Sequence, residues 1–393
     1  MSKLEKLIAE LCPDGVEYKS IREIAEVGTG NSNGNESVDN GLFPFFVRSQ
    51  TIKSKDDYEY DEEAIIIPGE GGIGEIFHYI NGKYALHQRV YRIHFIVEDV
   101  NTKFAYYYMQ AYFKPFILKK AVSATVTSIR KPMIEDFPLP VPPLPVQREI
   151  VRILDNFTEL TAELTAELTA RKQQYAYYRD KLLSTNNSSV PVVELRDIVK
   201  KSCSGATPAK GNAEYYENGT IPWIRTQDVR FNEITEVNSY ITEKAVSETA
   251  TKWIPENCVI VAISGATAGR CAINKIKATT NQHCLNLIID DSMALYRYVF
   301  HCLCSKYEEL ISRKQGARGD LNSSLILSLP IPVPSLSVQN RLVDVLDNFD
   351  AICSDLNIGL PAEIEARQKQ YEFYRDKLLS FKEVSTNEQW KEV

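Results

Sequence analysis

A chain of 393 residues is long enough for two or three domains, and 44% hydrophobic with 25% charged residues is the balance of ordinary folded protein. A net charge of −7 argues against indiscriminate binding to nucleic acid but leaves room for a local basic face. No apolar run reaches membrane-spanning length, the start MSKLEKLIAELCPDG lacks a signal-peptide core, and eight scattered cysteines fit reduced thiols better than a disulfide frame, so a cytoplasmic protein with no membrane partner is expected.

In chain order, residues 3–11 predict a short amphipathic helix stopped by Cys12-Pro13-Asp14-Gly15. An Asn/Gly-rich loop at 28–35 leads to buried strands over 43–50 and 64–67, further strands within 84–97, and a helix over 104–118 whose dense aromatics suit a core. Residues 137–143, FPLPVPP, make an extended strap, because neither a helix nor a central strand accepts that many prolines. The strap delivers the chain to residues 147–184. There Ile150, Leu154, Phe157, Thr161, Leu164, Leu168, Arg171, Tyr175, Tyr178 and Leu182 recur at alternating spacings of four and three, the seam of a helix roughly 55 Å long that must pack on another helix.

The partner lies in the same chain. LPVQREIVRILDNF from Leu144 returns as LSVQNRLVDVLDNF from Leu336, and ARKQQYAYYRDKLLS from Ala170 returns as ARQKQYEFYRDKLLS from Ala366. The later copy carries about one more helical turn between its blocks, near Gly359 and Pro361, which must kink or restart the helix. Leu346, Phe349, Tyr371 and Leu378 are its seam positions. The globular segments repeat as well. After a Ser/Asn linker at 184–189, residues 193–198 answer 18–24, 221–227 answer 43–50, 259–269 answer 65–74, 295–300 answer 105–110, and the strap returns at 329–334. The expected layout is a first domain at 1–146, a spacer helix at 147–184, a second domain at 185–335, a second helix at 336–381 and a tail at 382–393. Copies that keep a frame and change their loops are expected to read two different things.

Catalytic signals are weak. Gly69-x-Gly71-x-x-Gly74 has dinucleotide-loop spacing, yet residues 75–80 alternate like a strand and do not open a helix. Pro13-Asp14 and Glu17-Tyr18-Lys19 lie in one short turn and cannot converge on a metal, and His301-Cys302-x-Cys304 lacks a second ligand pair. What remains is two loop sets rich in basic, hydroxyl and amide groups. The first holds Arg48, Ser49, Gln50, Lys53, Arg89, Thr125, Thr127, Ser128, Arg130 and Lys131; the second holds Arg225, Thr226, Gln227, Arg270, Asn281, Gln282, His283, Arg313, Lys314 and Arg318. Arg on guanine and Gln or Asn on adenine read base edges, while Lys, Ser and Thr suit phosphates. Composition alone favours reading them as solvated loop residues. The duplication aligns Arg48 with Arg225, Ser49 with Thr226 and Gln50 with Gln227.

The rod motifs and their second copies, the repeat TAELTAEL at 161–168 and the N-terminal LEKLIAELCPDGVEYK together resemble the DNA-specificity (S) subunit of Type I restriction-modification systems over the whole chain. The resemblance implies an α+β fold, with two duplicated mixed α/β target-recognition domains separated by two long antiparallel helices in a pseudo-twofold arrangement. It implies a non-catalytic subunit with no cofactor of its own, each domain reading one half of a bipartite site on double-stranded DNA. The helices would set the gap and dock two modification subunits, which bind S-adenosylmethionine and methylate adenine; restriction subunits would cleave DNA using ATP and Mg. The alternative is a structural or regulatory coiled-coil protein that binds a protein partner without reading DNA.

Overall fold

The computed structural model describes residues 2–120, 128–184, 189–313, 321–354 and 358–384. The fold is α+β, and the chain divides into two compact units, Met1–Leu164 with Ile364–Val393, and Thr165–Glu363. Among the described residues no helix is long and apolar enough to cross a membrane.

The first unit is built on a six-stranded sheet in the order Ala25–Thr29, Val90–Phe95, Tyr60–Pro68, His78–Leu86, Phe43–Phe46, Lys53–Lys55. Neighbours are antiparallel except Phe43–Phe46, which runs parallel to His78–Leu86 with Phe46 opposite Leu86. Alternation along Tyr60–Pro68 sends Ile65 and Ile67 into a core with Phe104, Phe113 and Phe137, and Ala64 and Ile66 into a second cluster with Phe46, Tyr84 and Leu86. Helix Thr102–Lys120 supplies the aromatics of the larger core. The strand expected over 43–50 stops at Phe46, because Lys53–Lys55 must return antiparallel beside it and residues 48–50 bend to allow this. The strands expected within 84–97 are His78–Leu86 and Val90–Phe95.

The second unit repeats the plan with its sheet in two parts. One has the order Val199–Ser204, Cys284–Ile289, Val259–Ala262, Cys271–Asn274, Asn232–Ile234; the other has Tyr240–Ile241, Ile221–Ile224, Ala278–Thr280, Trp253–Ile254. Ile221–Ile224 lies parallel to Ala278–Thr280, with Ile224 opposite Thr280, as Phe46 lies opposite Leu86. His301 and Cys304, weighed as soft ligands, are core residues: His301 bonds Asp347 and Tyr175, and Cys304 lies against Cys271.

Each proline strap forms a two-stranded pairing away from the main sheet: Pro138–Pro140 with Tyr18–Ser20, and Pro330–Pro332 with Val192–Glu194. Prolines donate nothing, so flanking residues close the ladder. Val141 donates to the Glu17 carbonyl at 2.9 Å, and Val333 to the Pro191 carbonyl at 2.8 Å. Immediately after each strap a helix begins, Leu144–Leu182 in one copy and Leu336–Ser354 in the other. Pro145 is tolerated because first-turn amides have no helical partner to lose.

A buried glutamine fixes each helix start to its domain. Gln147 accepts from the Asn101 amide at 2.8 Å and donates to the carbonyls of Asp99 at 2.7 Å and Pro142 at 2.6 Å. Gln339 accepts from the Leu295 amide at 2.9 Å and donates to Met293 at 3.1 Å and Pro334 at 2.8 Å. Two turns on, Asp155 accepts from Lys103 at 2.8 Å and Tyr107 at 2.6 Å, while Asp347 accepts from Arg297 and from His301 at 2.7 Å. The domain helix is thus held twice.

The second rod restarts as Leu360–Leu378, with Gly359 in the intervening bend. Each unit holds one stretch of the helix pair. In the first, Phe157 stacks on Tyr374 at 5.6 Å, Leu154 is buried, and Tyr371 and Leu378 pack on the core; in the second, Tyr178 meets Phe349 at 6.4 Å, Leu346 is buried and Tyr175 packs on the core. Leu164 and Leu168 are half-buried. The seam expected at Arg171 and Leu182 is not kept: Arg171 is exposed and pairs with Glu167, and Leu182 is 43% exposed while Leu183 is 2% exposed. A straight helix drifts about 20° per heptad from a 3.5-residue repeat, which over this length hands the inward position to the next residue. Residues 382–384, expected to open a tail, are also held: Val16 donates to the Lys382 carbonyl at 2.8 Å and Val384 to the Val16 carbonyl at 3.1 Å. Gly15 makes this approach possible, since a Cβ there would meet the Lys382 oxygen at 2.4 Å.

Replacing Gln147 by Leu leaves one amide and two carbonyls buried without partners, and is expected to destabilise the first unit by about 2–4 kcal/mol in urea unfolding. A second expectation concerns Glu149, which is buried between Lys3 and Arg152, each at 2.7 Å. The bond from Arg152 holds its carboxyl down at about 2, against the opposing effect of burial and with help from Lys3. A depressed carboxylate stabilises the fold fully above its unfolded value of about 4.3 and loses that contribution as pH falls toward its folded value. Hydrogen exchange in Lys3–Leu11 should therefore accelerate as pH drops from about 4.3 toward about 2, after correction for the intrinsic rate, and Glu149→Gln should abolish the pH-dependent part.

Candidate nucleic-acid interface

In both units the loops at one end of the strands are stitched together by backbone hydrogen bonds at matching places. In the first unit the His87 amide donates to Phe46 at 3.0 Å, Ser32 to Leu86 at 3.3 Å, Gly69 to Arg89 at 2.9 Å and Ile129 to Gly69 at 2.8 Å. In the second, Asn281 donates to Ile224 at 3.0 Å, Ala206 to Thr280 at 3.1 Å, Ile263 to His283 at 2.9 Å and Leu321 to Ile263 at 2.8 Å. Five loop segments become one platform in each unit. Close approach needs a glycine in each copy: a Cβ on Gly30 would lie 1.7 Å from the Leu86 oxygen, and one on Gly205 would lie 1.8 Å from the Thr280 oxygen.

A tight turn projects from each platform. Arg89 donates its amide to His87 Nδ1 at 3.0 Å, and His283 donates its amide to Asn281 Oδ1 at 3.1 Å, so a side-chain acceptor two residues back shapes both turns. The turn tips, Gln88-Arg89 and Gln282-His283, are exposed. Gln88 Nε2 donates to Asn33 Oδ1 at 2.8 Å, while Gln282 Oε1 accepts from the Thr207 hydroxyl.

Charge is managed differently in the two copies. Glu70 accepts from Arg48 at 3.0 Å and Arg89 at 2.7 Å, and the Arg48 bond, followed by the Arg89 charge, holds its carboxyl below the usual range. Burial pushes the His87 imidazole below its ordinary value, and Arg48 and Arg89 add to this. In the second copy no acid among the described residues pairs the Arg225 and Arg270 head groups in this way. Arg225 lies over the Trp223 ring at 5.9 Å, and Thr267 ties the loops by donating to the Thr226 carbonyl at 2.8 Å. The Nε atoms of Arg225 and Arg270 are shielded from solvent without a hydrogen-bond partner among the described residues.

Residues 13–171 and 187–366 each match the family described as Type I restriction modification DNA specificity domain. The chain belongs to that family. It is 38% identical over 260 residues to the EcoR124I/EcoR124II specificity subunit of Escherichia coli, a match covering 63% of this chain and 64% of that relative's length. It is 28% identical over 403 residues to a Haemophilus influenzae protein described as a type I restriction enzyme specificity subunit, covering 96% of this chain and 98% of the relative. Among solved structures, a chain from a study of complex assembly and conformational transition in the type I R-M system has TM-score 0.66 at 14% identity, covering 94% of this chain and 98% of that one. The S subunit from M. genitalium has TM-score 0.55 at 15% identity, covering 93% of this chain and 95% of that one. These likenesses in structure concern the fold.

The first specificity domain brings Arg48, Ser49, Arg89, Ser128 and Arg130 to one platform, with Arg130 exposed at the start of helix Lys131–Glu135. Lys53 lies on the sheet-edge strand and bonds Gly34 at 3.4 Å and Ser37 at 3.3 Å, beside the loop that carries Asn33. Gln50 instead lines a cleft of about 970 Å³ with Tyr79, Tyr106, Lys114 and Arg375. The second specificity domain gathers Arg225, Thr226, Gln227, Arg270, Asn281 and Gln282. Asn281 is buried and shapes its turn, and Arg313 is tied to Glu309 and the Leu325 carbonyl, so both are occupied in holding the loops. Thr125, Thr127, Lys314 and Arg318 lie outside the described residues. Sequence reasoning passed over Gln88 and Glu70. Aligning YALHQRV with ATTNQHC on the shared frame would have found Gln88 as the counterpart of Gln282.

Gly30→Ala and Gly205→Ala are each expected to open one platform, lowering that unit's unfolding midpoint and exposing its loops to limited proteolysis. Gly211→Ala, where no atom lies within 4 Å, should leave both unchanged.

Proposed function

We propose that this chain is the non-catalytic DNA-recognition subunit of a Type I restriction-modification complex, acting in the cytoplasm, each specificity domain reading one half of a bipartite duplex target through its loop platform. The observation that carries this reading is the repetition of one platform, with Arg48 and Arg225, and Gln88 and Gln282, at matching places in two segments that match the same family. Arginine and glutamine at the tips suit base edges, and the surrounding Lys, Ser and Thr suit phosphates. With a net charge of −7, much of the cationic surface for DNA would come from the partners.

In this reading the helix pair docks two modification subunits, to which S-adenosylmethionine binding and adenine methylation belong. Restriction subunits bring ATP and Mg, and this chain carries no cofactor. Tyr177 and Phe373, exposed at matching places on the two rods, offer aromatic anchors for the docking. Helix Leu144–Leu182, which joins one specificity domain to the next in sequence, sets the unread gap. Readers of major-groove edges on one face of DNA work about 34 Å apart, a distance such a helix can span.

The test is to co-express the chain with its modification partner in a host lacking adenine methylation and to map methylated adenines by single-molecule sequencing. A split motif with a fixed gap is expected; an undivided motif, or none from an assembled complex competent to bind S-adenosylmethionine, would sink the reading. Inserting one more Thr-Ala-Glu-Leu after Leu168 adds roughly 6 Å of helix and should widen the gap by at most about two base pairs, leaving both half-sites unchanged. An unaltered gap would count against the helix as the spacer.

A further inference from the structure

We propose that Cys271 and Cys304 are a redox-active dithiol, a modification site at which hydrogen peroxide converts two thiols reversibly into a disulfide. The proposal concerns the second unit alone and does not depend on the DNA-reading role. The two Sγ atoms lie 3.5 Å apart, with Cys271 opening strand Cys271–Asn274 and Cys304 in the last turn of helix Tyr296–Ser305. A disulfide holds its sulfurs about 2.05 Å apart, so closing the bond asks for an approach of roughly 1.5 Å. Cys304 is 8% exposed and lines a cleft of about 800 Å³ with Tyr175, Arg179, Phe231, Tyr307 and Cys353, whereas Cys271 is fully buried.

The frame does not ask for sulfur at either place. The first unit has the same cleft, walled by Tyr371 with Arg375 over its ring at 5.8 Å, as Arg179 lies over Tyr175 at 5.6 Å. Lys103 and Tyr107 bond Asp155 as Arg297 and His301 bond Asp347, so Gln110 stands where Cys304 does. This is about one helical turn away from the match of 105–110 with 295–300 expected from the sequence. Phe77 precedes His78, which pairs with Ile66, just as Cys271 precedes Ala272, which pairs with Ile260. Phe77 and Gln110 both line the first cleft. There Phe77 packs edge-on against Phe113 at 6.0 Å and Gln110 donates to the Tyr106 hydroxyl at 2.8 Å, so that copy folds with no thiol at either place.

Burial pushes the Cys271 thiol above its ordinary value, and its hydrogen bond with Cys304 adds to this. Cys304, at the cleft, is therefore the attacking thiol and Cys271 the resolving one. Once deprotonated, the Cys304 sulfur attacks a peroxide oxygen: an S–O bond forms, the O–O bond breaks, and hydroxide takes up the released proton and leaves as water. The Cys271 sulfur then attacks the resulting sulfenic acid; the S–S bond forms, the S–O bond breaks, and the hydroxyl leaves as a second water with the Cys271 proton. The peroxide takes both electrons, and a dithiol reductant returns them by exchange. In a reducing compartment the pair rests as thiols. Oxidised, it joins the strand that follows Arg270 to the helix whose Arg297 and His301 hold the rod.

The experiment treats the reduced full-length chain with excess hydrogen peroxide, blocks remaining thiols with iodoacetamide and maps peptides by mass spectrometry without reduction. A linked Cys271–Cys304 peptide is expected, with circular dichroism unchanged and both thiols recovered by dithiothreitol. Cys271→Ser should halt the reaction at a Cys304 sulfenic acid that dimedone traps, and Cys304→Ser should leave Cys271 a thiol. Cys353→Ser, at another thiol of the same cleft, should leave the link in place. The wild-type map decides even where a variant folds poorly. Two cysteines that stay reduced, a Cys304 oxidised beyond sulfenic acid beside an untouched Cys271, or a link from Cys304 to Cys353 overturns the proposal, and oxidised Cys271 in Cys304→Ser overturns Cys304 as the attacking thiol.

Discussion

The arrangement inside each unit depends on one buried amide. Gln147 and Gln339 each satisfy a backbone amide and two carbonyls that no helix or sheet reaches, at the point where strap, domain loop and rod meet. In a site sealed from water these bonds are costly to break, and their three directions leave the helix one orientation against its domain. Asp155 and Asp347 repeat the attachment two turns along, with different donors. A rod held at two points by side chains cannot swivel, so the loop platform of the same unit inherits the direction of the helix.

The platforms follow the same economy. The stitches between their loops are backbone to backbone, Gly30 and Gly205 supply the room, and a few side chains such as His87, Asn281 and Thr267 shape the turns, which leaves the exposed tips free to differ between copies. The first copy carries a Glu70-centred arginine pair and the second an arginine stacked on Trp223, with the same bonds beneath.

Much of this was legible in the residues. The rods, their restart at Gly359, the straps and the duplication all leave periodic or repeated signals, and the helix Lys3–Leu11 has its expected bounds. Gln147 and Gln339 were in view within the two rod motifs, yet a polar residue near a helix start reads as solvated, and only the meeting of strap, domain loop and rod makes it an anchor. Loop stitches have no period and join residues far apart in sequence, which is why the bond that holds Gln88 to Asn33 left no signal in the residues. Leu182 shows the limit of extrapolating a heptad along a single helix for which small angular errors accumulate.

The strand of contacts between Val16 and residues 382–384 bears on how the protein is made. The first specificity domain starts the chain but is completed by Ile364–Leu378 and the segment that follows it, including Phe381, whose ring packs against Phe104 and whose carbonyl accepts from Tyr18. The second unit, Thr165–Glu363, is continuous and has all its parts as soon as those residues have left the ribosome. Domains ordinarily mature from the N-terminus as synthesis proceeds. Here the contacts of the first unit reach from Val16 and Tyr18 to residues 381–384, so they cannot all form before that segment has been made.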